Sequence, residues 1–159
     1  MTATFTICER VTRDEDLDAV AALEAASFTN PWTREMLARE LEPPTAARVY
    51  VLRAHSVRVA AFCSCWVLVD ELHVNTIAVR DDLRRQGLGR RLMECVLDAA
   101  YREGVTRATL EVRESNTAAL ALYRALGFTV RGVRRRYYTH PEEDALILWR
   151  DSASAPQSA

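Results

Sequence analysis

The stretch Arg84-Arg85-Gln86-Gly87-Leu88-Gly89-Arg90 has the composition of an anion seat. Glycines at 87 and 89 let the backbone curl tightly and let a ligand approach it closely. The helical pattern that begins at Leu88 would place unpaired N–H groups and the positive end of a helix dipole directly behind the turn. A diphosphate suits such a seat, and Arg84, Arg85 and Arg90 add charge that binds phosphate oxygens. Two common phosphate loops are excluded. The chain has no Gly-Lys-Ser/Thr, so this is not a Walker loop. The dinucleotide fingerprint needs a third glycine, which Gly87-Leu-Gly-Arg-Arg-Leu92 lacks. Gly-x-Gly alone is also compatible with a plain strand-to-helix turn. Arg84-x-x-Gly87-x-Gly89 behind the apolar stretch Asn75-Thr-Ile-Ala-Val79 is far more specific.

Other chemistries are poorly supplied. All 21 basic residues are arginine, so neither a Schiff-base lysine nor a phosphate-binding lysine exists. Cys8, Cys63, Cys65 and Cys95 lack metal-ligand spacing and form no Cys-x-x-Cys, so they read as small buried thiols in a reducing compartment. No metal is expected. His73 and His140 read as structural residues. The net charge of −1 argues against broad, charge-driven binding to nucleic acid or membrane. No apolar run approaches the ~18 residues of a membrane span. The first residues carry no basic region ahead of an apolar stretch, so no secretory signal is expected.

The turn resembles the coenzyme A loop of the GNAT acyltransferases. Leu110-Glu-Val-Arg-Glu-Ser-Asn-Thr-Ala-Ala-Leu-Ala-Leu-Tyr-Arg-Ala-Leu-Gly-Phe128 is similar to the RimI-type branch, which acetylates the N-terminal alanine of a small-subunit ribosomal protein. So are Phe28-Thr-Asn-Pro-Trp32 and Arg136-Tyr-Tyr-Thr-His-Pro-Glu-Glu-Asp-Ala-Leu-Ile-Leu148. The resemblance spans residues 5–150 and implies roles residue by residue. Ile77, Ala78 and Val79 would offer backbone hydrogen bonds to the pantetheine arm and acetyl carbonyl of acetyl-CoA. Arg84 would open the motif, and Arg85, Gln86, Gly87, Leu88, Gly89 and Arg90 would wrap the diphosphate. Asn116 would contact the coenzyme near the thioester. Glu111 would match the proton acceptor and Tyr123 the proton donor. Tyr137 and Tyr138 would line a peptide-entry groove.

The chemistry of acetyl transfer is consistent with these roles. An α-amino group, with a pKa of about 7.7–8.0, must lose a proton before it attacks. Glu111 could accept that proton directly or through a water. Strand N–H groups near Val79 could stabilise the oxyanion, and the Tyr123 phenol could protonate the departing sulfur. Each residue also has a plainer reading. Glu111 could face solvent from an alternating strand, and Asn116 could only cap a helix. Tyr123 could be a core aromatic beside Ala119, Leu122 and Leu126. Tyr137 and Tyr138 could simply pack on the sheet. The run 131–136 could be a solvated strand face or could attract an acidic or ribosomal target.

The elements that must position these residues follow from periodicity. Strands are expected over 3–11, 48–54, 57–69, 71–79, 106–112, 128–138 and 144–149. His55-Ser56 is expected to connect the second and third as a hairpin. Thr12-x-x-Glu15 is a capping box ahead of a helix carrying Leu17, Val20, Ala21 and Ala25. Thr33 caps a short helix with Trp32 and Leu37 as its staple, ended by Pro43-Pro44. A third helix carries Leu88, Leu92, Cys95, Val96, Ala99 and Ala100 on one face, with Gly104 beyond it. A fourth spans 116–126 and ends at Gly127.

The expected fold is α/β (α+β), with a mixed, mostly antiparallel sheet of about six to seven strands flanked by about four helices: the GNAT fold. A chain of 159 residues suits one domain over 1–150, and 151–159 has disordered composition. The expected activity is acetyl transfer from acetyl-CoA to a protein N-terminal alanine, in the cytoplasm, with a ribosomal protein as partner. A small amine or an internal lysine as acceptor, or a non-catalytic coenzyme A-binding module, are the alternatives. Oligomeric state is open.

Overall fold

Alternating apolar residues make the strands and 3.6-residue spacing makes the helices in a computed structural model, which describes residues 7–11, 14–54, 57–139 and 141–151. The strands are β1 (Ile7–Arg10), β2 (Ala47–Ala54), β3 (Val57–Leu68), β4 (Glu71–Val79), β5 (Arg107–Arg113), β6 (Thr129–Tyr138) and β7 (Glu143–Asp151). The helices are α1 (Asp14–Ser27), α2 (Arg34–Glu40), α3 (Leu88–Arg102) and α4 (Thr117–Ala125). The strands form one sheet in the order β1-β2-β3-β4-β5-β7-β6. β4 and β5 pair in parallel, as the intervening helix α3 requires of a crossover. The pairs β1–β2, β2–β3, β5–β7 and β6–β7 are antiparallel. This is the mixed sheet with four helices that the sequence leads one to expect. Residues 3–6 of the expected first strand, Thr12 of the capping box, the His55-Ser56 connection, His140 and the tail 152–159 lie outside the described residues.

The chain divides into two compact units, one of Met1–Trp66 with Thr76–Val96 and one of Val67–Asn75 with Leu97–Ala159. In the first, Leu17, Val20 and Leu23 of α1 and Leu37 of α2 form one apolar cluster with Val49 and Val51 of β2, Val59 and Phe62 of β3 and Ala78 of β4. Beside it sits a buried carboxylate. Asp16, 1% exposed, receives two hydrogen bonds of 2.9 Å from the Arg53 guanidinium and lies 3.5 Å from that of Arg58. The Arg53 hydrogen bond is the main reason the Asp16 carboxyl is held below its ordinary range. Thr33 caps α2 by accepting the Met36 N–H at 3.2 Å. Trp32 stays partly exposed, and its backbone N–H donates to the buried Glu24 carboxylate at 3.1 Å. Burial pushes the Glu24 carboxyl up, opposed by that hydrogen bond.

The cysteine expectation needs a correction. Cys63 and Cys65 are buried free thiols. A hydrogen bond to Cys65, together with burial, pushes the Cys63 thiol well up, so it is no nucleophile. Cys8 and Cys95, expected to be thiols too, form a disulfide between β1 and α3 across a sequence separation of 87. Spacing along the chain carries no trace of this pair; only the docking of β1 beside α3 brings their Cα atoms within 6.6 Å.

In the second unit, β7 lies between β5 and β6, which leaves β6 at the sheet edge. Leu110, Val112, Leu120, Tyr123, Leu126, Phe128, Ala145 and Leu148 are buried there. The β6–β7 register is interrupted between Val130 and Gly132 and again between Arg134 and Tyr138. Arg136, inside the second interruption, has φ 53, and its N–H donates to Asp144 Oδ1 at 2.9 Å.

Candidate active site

The first unit carries the turn. After β4 the Arg80 N–H donates to Ala60 O at 2.9 Å, and a single 3-10 turn follows over Asp81–Leu83. Arg85 (φ 64) and Gly87 (φ 75) are both left-handed, which folds the chain back before α3. A Cβ on Gly87 would meet nothing within 4 Å, so it is the backbone conformation, not crowding, that demands glycine there. The Gly87 carbonyl accepts the first helical hydrogen bond, from the Arg91 N–H at 3.1 Å. The N–H groups of Leu88, Gly89 and Arg90 therefore stand ahead of the helical ladder, beside the positive end of the dipole. A diphosphate is the kind of group that such a turn fits.

Acidic neighbours hold several of the arginines. Arg84 pairs with Asp81 at 2.8 Å and donates from Nε to Val79 O at 3.3 Å. Arg80 grips Asp82 through two hydrogen bonds, and Arg90 reaches Glu94 at 2.9 Å. These exposed pairs are each worth at most about 1 kcal/mol, so an incoming phosphate can replace them. The parallel ladder to β5 ends at Val74 opposite Leu110, and Ile77, Ala78 and Val79 take no part in it.

The second unit carries Glu111, Asn116, Tyr123, Tyr137 and Tyr138. Asn116 is the cap of α4: its Oδ1 accepts the Ala119 N–H at 3.2 Å. The capping reading therefore holds, and it leaves a coenzyme contact open. Tyr123, 5% exposed, packs edge-on against Phe128 with ring centroids 5.8 Å apart, as its neighbours suggested, and this packing leaves the proton-donor role open. Glu111, in the middle of β5, does not simply face solvent: its side chain is 27% exposed and Oε1 lies 3.2 Å from Arg134 Nε. Interaction with the same carboxylate is the main reason the Tyr137 phenol is pushed up. Burial, reinforced by the Glu111 charge, pushes Tyr138 up to about 12. The two tyrosine rings meet edge-on at 5.1 Å. The structure thus brings Glu111, Tyr137 and Tyr138 together.

Two groups escaped the sequence reading. Arg134 was only one of a run of strand arginines. Arg113, Ser115 and Glu143 were unassigned, yet they clasp the turn between β6 and β7. Glu143 accepts from the Ser115 hydroxyl at 2.9 Å and from its N–H, while Arg113 donates to Pro141 O and Thr139 O and stacks 4.2 Å from the Tyr138 ring centroid. A turn that draws on β5, its following loop and β7 has no local signature. Among the described residues, no group of three or more His, Cys, Asp or Glu could hold a metal ion.

Comparison with known proteins bears on the same segments. The [ribosomal protein bS18]-alanine N-acetyltransferase of Escherichia coli (strain K12) is 38% identical over 135 residues, 84% of this chain and 89% of its own length. The N-alpha-acetyltransferase RimI of Mycobacterium tuberculosis (strain ATCC 25618 / H37Rv) is 39% identical over 143 residues, 86% of this chain and 87% of its own. The crystal structure of the ribosomal-protein-S18-alanine N-acetyltransferase from Escherichia coli has a TM-score of 0.83 at 33% identity, covering 98% of this chain and 97% of that one. Residues 17–128 match the acetyltransferase (GNAT) family as a whole. Turn, sheet and relatives agree: this chain belongs to the acetyltransferase (GNAT) family.

Proposed function

We propose that this chain moves the acetyl group of acetyl-CoA onto the α-amino group of an N-terminal alanine, on a small-subunit ribosomal protein. The observation that carries the reading is the 38% identity, over 84% of the chain, to an enzyme named for that reaction. The left-handed Arg85 and Gly87 ahead of α3 supply the chemistry such a donor needs. The family match over 17–128 draws residues from both compact units, which supports treating residues 1–150 as one catalytic domain. The cytoplasm is the proposed site of action, against which the Cys8–Cys95 disulfide stands as a departure from the thiols expected in a reducing compartment. Among the described residues no helix is long and apolar enough to cross a membrane.

The proposed reaction is a direct transfer. Arg84, Arg85 and Arg90 and the backbone from Gln86 to Gly89 bind the diphosphate. Backbone groups of Ile77, Ala78 and Val79 hold the pantetheine arm and the acetyl carbonyl, and Asn116 contacts the coenzyme near the thioester. Tyr137 and Tyr138 flank the incoming peptide. Glu111 takes one proton from the α-ammonium group, directly or through a water, and passes it to solvent. The amine nitrogen bonds to the acetyl carbon, the carbon–sulfur bond breaks as the oxyanion collapses, Tyr123 protonates the sulfur, and the second proton leaving the nitrogen restores the Tyr123 phenol through water. Mass spectrometry of a hexapeptide with a free N-terminal alanine should show one added acetyl group, and the same peptide with a blocked terminus none. Acetylation of the blocked peptide on an internal lysine would overturn the acceptor assignment. Glu111→Gln and Tyr123→Phe should each lower kcat at least ~10-fold while calorimetric binding of acetyl-CoA survives. Unchanged turnover in both would defeat the two assignments.

A further inference from the structure

Within the second unit, two side chains of β6 converge on one carboxylate of β5. Arg134 Nε stands 3.2 Å from Glu111 Oε1, and the same carboxylate is close enough to Tyr137 to push its phenol up. The Arg134 guanidinium carbon also lies 5.5 Å from the Tyr137 ring centroid, so the three side chains make one closed cluster. This convergence is not what a regular strand gives. Residues three apart along a strand point to opposite faces. Here the register breaks between Arg134 and Tyr138, and the left-handed Arg136, tied through its N–H to Asp144, interrupts the alternation. Both Arg134 and Tyr137 thereby address Glu111.

A carboxylate offers about four acceptor positions, so the contact from Arg134 leaves others for further partners. A carboxylate held on one side presents its remaining lone pairs in a fixed direction, and a small error in that direction is costly to a proton transfer. Arg134 is itself 56% exposed at its side chain, so its pair with Glu111 adds at most about 1 kcal/mol to stability.

We propose that Arg134 is a positioning residue for acetyl transfer, its guanidinium orienting the Glu111 carboxylate toward the acceptor amine. The proposal rests on the reading of Glu111 as proton acceptor. It assigns the left-handed turn at Arg136 a purpose, since that turn brings Arg134 and Tyr137 onto one carboxylate.

Steady-state kinetics on an alanine-terminated hexapeptide test it, with Arg134→Gln, Arg134→Lys, Arg134→Ala, Glu111→Gln and the double variant Arg134→Gln/Glu111→Gln. Arg134→Gln should lower kcat ~10-fold with acceptor KM within ~3-fold of the parent, because the group orients the base rather than binding the peptide. Arg134→Lys should keep part of the rate, since it keeps a charge but not the planar fork. Added guanidinium ion should restore part of the rate to Arg134→Ala. In the Glu111→Gln background the Arg134 substitution should change kcat less than ~2-fold, because the partner it orients is already gone. A fall in kcat that is equal in both backgrounds, or a KM effect alone, overturns the proposal, as does an Arg134→Gln variant as fast as the parent. If Glu111→Gln itself retains full turnover, the reading of the proton acceptor fails, and this proposal with it. If Glu111→Gln is slow and Arg134→Gln is not, only the positioning role fails.

Discussion

Tyr138 shows how far a single side chain is governed by its surroundings. Burial and the nearby Glu111 charge raise its phenol to about 12, so at neutral pH it is a hydrogen-bond donor and never a base. The consequence for stability has a definite sign. Below about pH 10 the phenol is protonated in both folded and unfolded chains. Above that value the unfolded chain releases a proton that the folded one keeps, so stability falls until the folded group titrates at about 12. Thermal melts across this range should fall less steeply in Tyr138→Phe than in the parent. Val69 is a second local case. It is 99% exposed in the short turn between β3 and β4, with φ 57, a conformation that a β-branched residue adopts only at a cost. Val69→Asn should raise stability by about 1 kcal/mol in urea titrations, since asparagine tolerates that region. At this scale the sequence was legible where chemistry is local. The Asn116 cap involves a residue three positions away and could be read directly. Arg134 could not, because its meaning depends on a left-handed residue two positions further on.

The helix α1 illustrates the next scale, where a segment's place is settled by what its faces meet. Of the residues that its spacing placed on one face, Leu17 and Val20 are buried, Ala21 is half-buried against the same cluster and Ala25 is exposed, while Leu23, outside that set, is buried. Its charged anchor was not legible, because Asp16 finds Arg53 on β2 and Arg58 on β3, both distant in sequence. Removing one partner from a buried pair leaves an uncompensated charge. Here Arg53 keeps Glu9 and Arg58 keeps Glu15 when Asp16 is lost, so Asp16→Asn should cost about 1–3 kcal/mol in chemical denaturation, still more than a surface carboxylate. The Asp16 carboxyl is lowered in the folded chain, so its contribution is fully present above the ordinary aspartate range near pH 4 and fades as pH falls through the folded value. Acidification below about pH 4 should accordingly weaken the parent more than Asp16→Asn. Strand β6 is the counterpart at the other end of the sheet order. Its existence was legible from alternation, but its two register breaks were not, since nothing in 129–138 announces a left-handed arginine.

Across the whole molecule, the strand inventory and the crossover between β4 and β5 follow from the sequence pattern, whereas the insertion of β7 between β5 and β6 does not. Pairing partners depend on which apolar faces must be covered, and a one-dimensional pattern leaves several choices open. The disulfide belongs to the same class of fact. The chain-entropy view assigns a bridge over so long a separation about 4–5 kcal/mol, of which about 2–4 is usually realised. Cys8→Ser, or reductant, should lower stability by that smaller amount in denaturant titration. Melts of Cys63→Ser should not respond to reductant differently from those of the parent, because Cys63 and Cys65 are free thiols.

The Cys8–Cys95 bond also alters what a protease can accomplish. Everything between those two positions is a covalent ring, and the chain beyond Cys95 is a trailer outside it. One nick anywhere in the ring yields two peptides that migrate as a single species under denaturing conditions and separate only once a thiol is added. A nick in the trailer releases its fragment at once.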